Sequence, residues 1–237
     1  MTILRIAWRN LGRNPKRSLL SLEVVALAQT TLMFVNGLMA GSHDQMLQTI
    51  TGPMLGNVQV HHPRWEEERS IDLTIGRLTA VRSQIAPLPS VETILPRIYA
   101  PALAASGEKK DEPARAEPAM TLGMEIVAES EKGGLLESLP DQAHPHGNRV
   151  VVGRILANRL HLVQGQQLAV IGQDVDGFPV SDLFTIRAIM ESPVDLVKTR
   201  GVVMSRETAA ELMRLLDQAH EIVIWGSSIA GADAPGR

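Results

Sequence analysis

The sequence has no cysteine among its 237 residues. That excludes a disulfide framework, a zinc–thiolate site, an iron–sulfur cluster and a cysteine nucleophile together. Aromatic residues are scarce at 3%, which leaves few rings on which nucleic-acid bases could stack. A basic excess is also missing: 23 Lys and Arg against 26 Asp and Glu give a net charge of −3, the wrong sign for a nucleic-acid coat. No phosphate-binding loop GxxxxGK[ST], no G-x-S-x-G elbow and no HExxH occurs. The chain also lacks a second long apolar run, and the one it has lies near the N-terminus.

From Leu19 to Ala40 it reads LLSLEVVALAQTTLMFVNGLMA, 22 residues with the single charge of Glu23. A helix of that length crosses the roughly 30 Å apolar core of a bilayer. Before it lie Arg5, Arg9, Arg13, Lys16 and Arg17 without one acid. Setting those five and Glu23 aside leaves 18 basic against 25 acidic residues from Gly41 onward, a net of −7. By the positive-inside rule the N-terminus is cytoplasmic and the bulk of the chain extracytoplasmic. Asn14-Pro15 reads as the helix start. Upstream, Leu4, Ala7, Trp8 and Leu11 share one helical face and the arginines another, which suits a helix at the cytoplasmic interface with Trp8 at headgroup level. A cleaved signal would have a shorter run and a small-x-small exit, whereas Leu38-Met39-Ala40 is a poor exit. Gly37 and Gly41 form one GxxxG, a candidate for helix packing that chance also produces. Glu23 reads as snorkelling or facing a protein neighbour.

The rest is read as one extracytoplasmic α+β domain with a mixed sheet. The segments are 1–18, a cytoplasmic amphipathic basic stretch; 19–40, the transmembrane helix; 41–226, the α+β core domain; and 227–237, a disordered tail. The membrane helix continues through 42–51 and closes at Gly52-Pro53. Alternation over Asn57–His61 gives a strand, and Ile75, Leu78, Val81 and Ile85 fall on one face of a helix over 74–86. Prolines within Val91–Ala105 make that strand an edge or a bent one. Residues 106–118 and 129–148 read as polar loops. Regular elements follow: strands at 149–152, 167–171, 183–190, 201–204 and 221–225, a helix over 154–160, and a helix over 207–216 capped by Ser205. His61-His62 and His144-Pro-His146 offer no metal set, because neighbouring strand residues face opposite ways and the loop pair lacks a third ligand. Asp174-Val-Asp176-Gly177 opens like a calcium loop, but Pro179 and Thr185 stand where that loop needs Gly and Glu, so a hairpin turn is the better reading. No catalytic, cofactor or metal residue is assigned.

AWRNLGRNPKRSLLSLEVVAL at the N-terminus resembles the start of permease subunits in the MacB/LolC/LolE/FtsX group of ABC transporters. Gly56 to His61 resembles the first extracytoplasmic strand of LolE-like members, and Pro96-Arg97-Ile98-Tyr99-Ala100 a later one. Val151-Val152-Gly153-Arg154 with Leu156, Ala157, Leu160, Leu162, Val163, Gly165 and Leu168 is similar to the strand–helix–strand of the group's periplasmic core. Phe184-Thr185-Ile186, Gly201 to Met204 and His220 to Ile224 resemble its closing strands. The resemblance implies a MacB-like periplasmic core domain and a non-enzymatic permease component in the inner membrane. Its expected partners are a cytoplasmic ABC ATPase, a second permease chain in a homo- or heterodimer, and a periplasmic carrier or adaptor. The LolE-like strands point to lipoprotein or lipid-linked cargo. By order along the chain, Gln173 to Asp182 takes the place of a carrier-capturing hairpin, with Asp174, Asp176, Phe178 and Pro179 as its contact candidates, against a plain solvated turn. The three further membrane helices of the group are missing before Arg237. The expectation is therefore a truncated or split permease or, alternatively, an anchored extracytoplasmic binding or scaffold module.

Overall fold

The computed structural model describes residues 15–56, 58–107, 114–131 and 134–226. The chain divides into two units, Met1–Gln48 and Thr49–Arg237. The first contains most of helix α1 (Pro15–Leu55). Its stretch Pro15–Met39 is long and apolar enough to cross a membrane, and none of it is buried against protein. Two hydroxyls within it are served locally: those of Thr30 and Thr31 donate to the carbonyls of Ala26 and Leu27, each at 2.8 Å.

The helix passes through Gly52-Pro53, where the sequence places its end, and stops at Leu55. Two facts account for the later stop. Gly56 takes φ +58°, the left-handed conformation that terminates helices. The terminal carbonyl of Met54 receives Arg97 Nη1 at 2.8 Å and Gln59 Nε2 at 3.2 Å, so the last turn has outside donors.

The second unit follows the order β1 (Val58–His61), α2 (Trp65–Glu68), α3 (Leu78–Ile85), β2 (Thr93–Ser106), β3 (Ala116–Met124), α4 (Ile126–Glu129), β4 (Arg149–Gly153), α5 (Arg154–Arg159), β5 (Gln167–Gln173), β6 (Pro179–Met190), α6 (Asp195–Arg200), β7 (Gly201–Ser205), α7 (Arg206–Met213) and β8 (Glu221–Trp225). The architecture is α+β. The strands run β1-β8-β2-β3-β7-β4-β6-β5, and β5 pairs back onto β2, closing a six-strand circuit. Parallel pairs β3–β7 and β4–β6 make the sheet mixed, as the alternation of short elements indicates.

β2 is neither an edge strand nor broken by its prolines. It pairs β8 along Thr93–Arg97 and β5 along Ala102–Ser106 on one flank, and β3 along Ile98–Ala105 on the other. Pro96 lies before the β3 ladder begins, and Pro101 lies between the β8 and β5 ladders. Each proline therefore has one flank without a ladder partner, the only place in a sheet where a missing N–H is harmless.

Strand parity sorts the core. Ile98, Ala100, Ala104, Val150, Val152, Val202 and Met204 pack on one face with α5 and α7. Tyr99, Val151 and Val203 join Trp65, Leu136 and Val197 on the other. In β6, Phe184 and Ile186 belong to the first face and Ala188 and Met190 to the second. The switch occurs at Arg187, where the β4 register skips one residue between Val150 and Val151. Ser205 caps α7 by accepting from Thr208 N, and Leu78 packs with Ile75, Val81 and Ile85 against Ile222.

Both expected loops are shorter than read. Ser106 belongs to β2, and Ala116 to Pro118 belong to β3. The segment 129–148 buries Glu129, Leu135 and Leu136 while Glu137, Asp141 and Asn148 stay exposed, so it is a strap packed at its start rather than a wholly solvated loop. Residues 227–237 lie outside the described residues.

Candidate functional site

Arg5, Trp8, Arg9 and Arg13 lie outside the described residues. Lys16 and Arg17 are exposed in the first turn of α1. Gly37 has open space around its Cα, and Gly41 continues the same helix. Of the hairpin residues, Asp174 is fully buried and committed to the turn: its Oδ1 accepts from the backbone N–H of Asp176 and Phe178, and Oδ2 lies 3.4 Å from Arg214 Nε. Its side chain is withdrawn from any partner. Asp176, Phe178 and Pro179 remain exposed, Phe178 at 61%.

The polar chemistry lies elsewhere, on the face of β2 that carries Arg97, Tyr99 and Pro101. Successive strand residues alternate faces, so these three project together. Arg97 stands opposite Glu221 on β8, and Glu221 stands opposite His61 on β1. An arginine this deep needs a carboxylate, and Glu129 at the end of α4 supplies one. Nε to Oε1 is 2.6 Å and Nη2 to Oε2 is 3.0 Å, a two-pronged pair with both side chains fully buried. Glu129 Oε2 also accepts from Leu135 N at 3.1 Å, which ties in the strap. Burial opposes the charge on Arg97, but Glu129 and Tyr99 outweigh it and hold its pKa above the ordinary arginine value. Burial raises the Tyr99 phenol, with Arg97 acting the other way.

His220 sits under this layer. Burial pulls its pKa down to about 4, against the Ile71 carbonyl, so it is neutral at physiological pH. Its Nδ1 accepts from Tyr99 N at 3.1 Å and its Nε2 lies 2.9 Å from Ile71 O, which fits the Nε2–H tautomer. Trp65 stacks on its ring at 4.6 Å, and Arg69 covers Trp65 with its guanidinium carbon 5.3 Å from the ring centroid.

Above these groups opens a cavity of about 340 Å³. Met54, Trp65, Tyr99, Pro101, Met120 and Leu196 form its apolar walls, and Gln59, Arg69 and Glu221 its polar ones. Burial raises the pKa of Glu221, opposed by Arg97, Arg69 and His61. Its Oε1 accepts from Gln59 Nε2 at 3.2 Å and faces Tyr99 Oη at 3.5 Å. The cavity thus sets a small group of polar side chains against a mostly apolar wall.

Sequence reasoning missed the cavity and the ion pair, although one signal was available. Arg97 interrupts the apolar run ILPRIYA, and a charge inside a central strand requires a buried partner. Glu129 was the harder half, because its setting reads as polar.

No protein-family model matches this sequence, and no curated protein does. Among solved structures the chain is similar to the periplasmic region of MacB from Actinobacillus actinomycetemcomitans, at 11% identity over 75% of each chain with a TM-score of 0.44. It is also similar to the extracellular domain of the noncanonic ABC-type transporter YknZ from Gram-positive bacteria, at 8% identity over 72% of this chain and 82% of that one, again with a TM-score of 0.44.

Proposed function

We propose that the chain is a permease component of an ABC transporter of the MacB/LolC/LolE/FtsX group. It is anchored in the inner membrane by α1, with its N-terminus cytoplasmic and the Thr49–Arg237 unit extracytoplasmic. ATP hydrolysis belongs to a separate cytoplasmic subunit. A second permease chain is its partner in a homo- or heterodimer, and the cargo is lipoprotein or lipid-linked. Gly37 and Gly41 are the proposed helix-packing positions. Asp176, Phe178 and Pro179 at the hairpin tip are the proposed contacts for a periplasmic carrier.

The ordered resemblance of the sequence from Ala7 to Ile224 supports this reading. The structural observation that carries it is the tie between Met54 and Arg97. A carbonyl in the last turn of α1 is held by an arginine that also binds Glu129, so the end of the helix is fixed to two elements of the sheet unit. Both Met54 and Arg97 belong to the Thr49–Arg237 unit, and a domain that receives force through its incoming chain needs that chain held where it enters.

The test is native purification of the tagged chain from gently solubilised membranes, followed by identification of its companions. An ATPase with a phosphate-binding loop and a second apolar permease chain are the expected companions. Recovery of the chain without either, under conditions that keep membrane complexes intact, sinks the transporter reading. The alternative, an anchored binding module without transport of its own, draws its support from the cavity on the face of β2 and would then stand.

A further inference from the structure

The cavity beside Trp65 has a buried donor in its wall. Trp65 is 1% exposed, and its Nε1–H meets no acceptor among the described residues. A buried indole N–H without a partner is costly and calls for an oxygen that the described residues do not supply. Arg69, at φ +49° just past α2, lies exposed across the same ring. Among the described residues it has no carboxylate within ion-pair distance. Among the described lining residues the one carboxyl is Glu221, which feels the Arg69 charge but already faces the Gln59 amide and the Tyr99 hydroxyl and stands opposite Arg97.

The remaining lining is apolar and adaptable. Met54 and Met120 are unbranched thioethers that shape themselves to a flexible chain, and Leu196 and Pro101 complete the wall. The apolar surface also continues outward. Pro101 pairs with Met120, and two residues further along the same face Leu103 pairs with both Pro118 and Ile171. Leu183 follows through its pairing with Ala169. Leu103, Ile171 and Leu183 are 39%, 40% and 51% exposed. A hydrocarbon that enters beside Met120 therefore has an apolar track on which to lie.

We propose that this cavity binds a small anionic amphiphile, an apolar chain ending in a carboxylate, whose head is held by the Arg69 guanidinium and the Trp65 N–H. Guanidinium and carboxylate match as fork to fork, and the indole donor takes the remaining lone pair. Met54, Met120 and Leu196 take the chain. The assignment rests on the cavity alone and holds whether or not the protein works beside an ATPase.

The experiment uses the full chain in nanodiscs of zwitterionic lipid, titrated calorimetrically with octanoate, 1-octanol and octyltrimethylammonium, with empty nanodiscs as the baseline. The three probes share a chain and differ in the head. Octanoate is expected to bind saturably and about tenfold more tightly than the other two, with decanoate tighter still. Arg69→Gln, at an exposed position that leaves the core intact, should weaken octanoate about tenfold and leave 1-octanol unchanged. Trp65→Phe keeps a ring against His220 while removing the N–H, and should weaken octanoate several-fold. Equal or tighter binding of the ammonium probe, no loss in Arg69→Gln, or no saturable signal above empty discs would each overturn the proposal. An ATPase that co-purifies while octanoate fails to bind separates this failure from that of the transporter reading.

Discussion

Arg97 and Glu129 meet across 32 residues of sequence as a fully buried, two-pronged ion pair, at 2.6 and 3.0 Å. Neither side chain reaches water, so neither can lose its partner cheaply. Arg97→Met or Glu129→Gln should each lower unfolding free energy by about 3–5 kcal/mol, because each leaves an uncompensated buried charge or its polar remnant. The double replacement Arg97→Met with Glu129→Leu should cost less than the sum of the singles, since it removes both charges. It will not restore full stability, because the Met54 carbonyl then keeps only the Gln59 amide and the Leu135 N–H loses its side-chain partner. Urea unfolding monitored by circular dichroism gives all four corners of the cycle. Additive single effects would show that the two groups act separately.

His220 makes the fold sensitive to acid. Its folded pKa of about 4 lies below the unfolded value of 6.5, so the unfolded chain takes up the proton first as pH falls. Its contribution is fully present above pH 6.5 and is lost on descending towards pH 4, a loss on the order of 3 kcal/mol. Glu221 works in the other direction. Its raised pKa makes the folded state bind a proton more readily than the unfolded one, which favours folding as pH falls. Comparing the protein with His220→Gln isolates the histidine, since Glu221 is common to both. The variant should be less stable at pH 7 and show a flatter stability profile between pH 6.5 and 4. Parallel profiles would refute the assignment of a neutral, buried imidazole.

The glycine in Val151-Val152-Gly153-Arg154 has a local cause. A Cβ on Gly153 would stand 2.0 Å from the carbonyl oxygen of Val197 and 2.6 Å from that of Lys198, backbone atoms that cannot swing aside. β4 thus ends in direct contact with the backbone of α6 while starting α5. Gly153→Ala should cost upward of about 2 kcal/mol by overpacking. Gly177→Ala is the contrast. It has φ +82° but open space, and should cost about 1 kcal/mol from backbone strain alone. Thermal melts of both variants test the order, and a harsher effect at Gly177 would contradict the contact.

How much of this was legible depends on the range of the interaction. The helix read over 74–86 and the strands read at 149–152, 201–204 and 221–225 follow from periodicity, capping and turn residues, all of which act within a few positions, and the structure has them at Leu78–Ile85, Arg149–Gly153, Gly201–Ser205 and Glu221–Trp225. The closure of β5 onto β2 does not, because no local pattern states which strand lies beside which. Pro96 and Pro101 were misread for that reason. Their tolerance depends on where the β8, β3 and β5 ladders begin and end, which is a property of the assembled sheet. The segment from Glu129 read as a polar loop because the partner that buries Glu129, Arg97, comes from β2. The cavity was invisible in sequence for the same cause, being built from α1, β1, α2, β2, β3, α6 and β8.

The basic cluster ahead of α1 yields a prediction that concerns the membrane rather than the fold. Arg5, Arg9, Arg13, Lys16 and Arg17 give the first 18 residues a net charge of +5, and nothing acidic offsets it. Positive charge within about 20 residues of a span is retained on the cytoplasmic side. Replacing Arg5, Arg9 and Arg13 with Glu turns +5 into −1 while leaving the apolar stretch of Pro15–Met39 unchanged. A reporter active only outside the cytoplasm, fused after Gly41, should be active on the native sequence and lose most of that activity in the triple variant. Restoring two arginines at neighbouring positions should recover it, because the rule counts charge near the span and not particular residues. Unchanged reporter activity in the triple variant would mean that something other than the arginines orients the helix. Trp8→Ala tests the neighbouring interface role by itself: it removes an aromatic anchor without touching charge, and should leave the reporter on the same side.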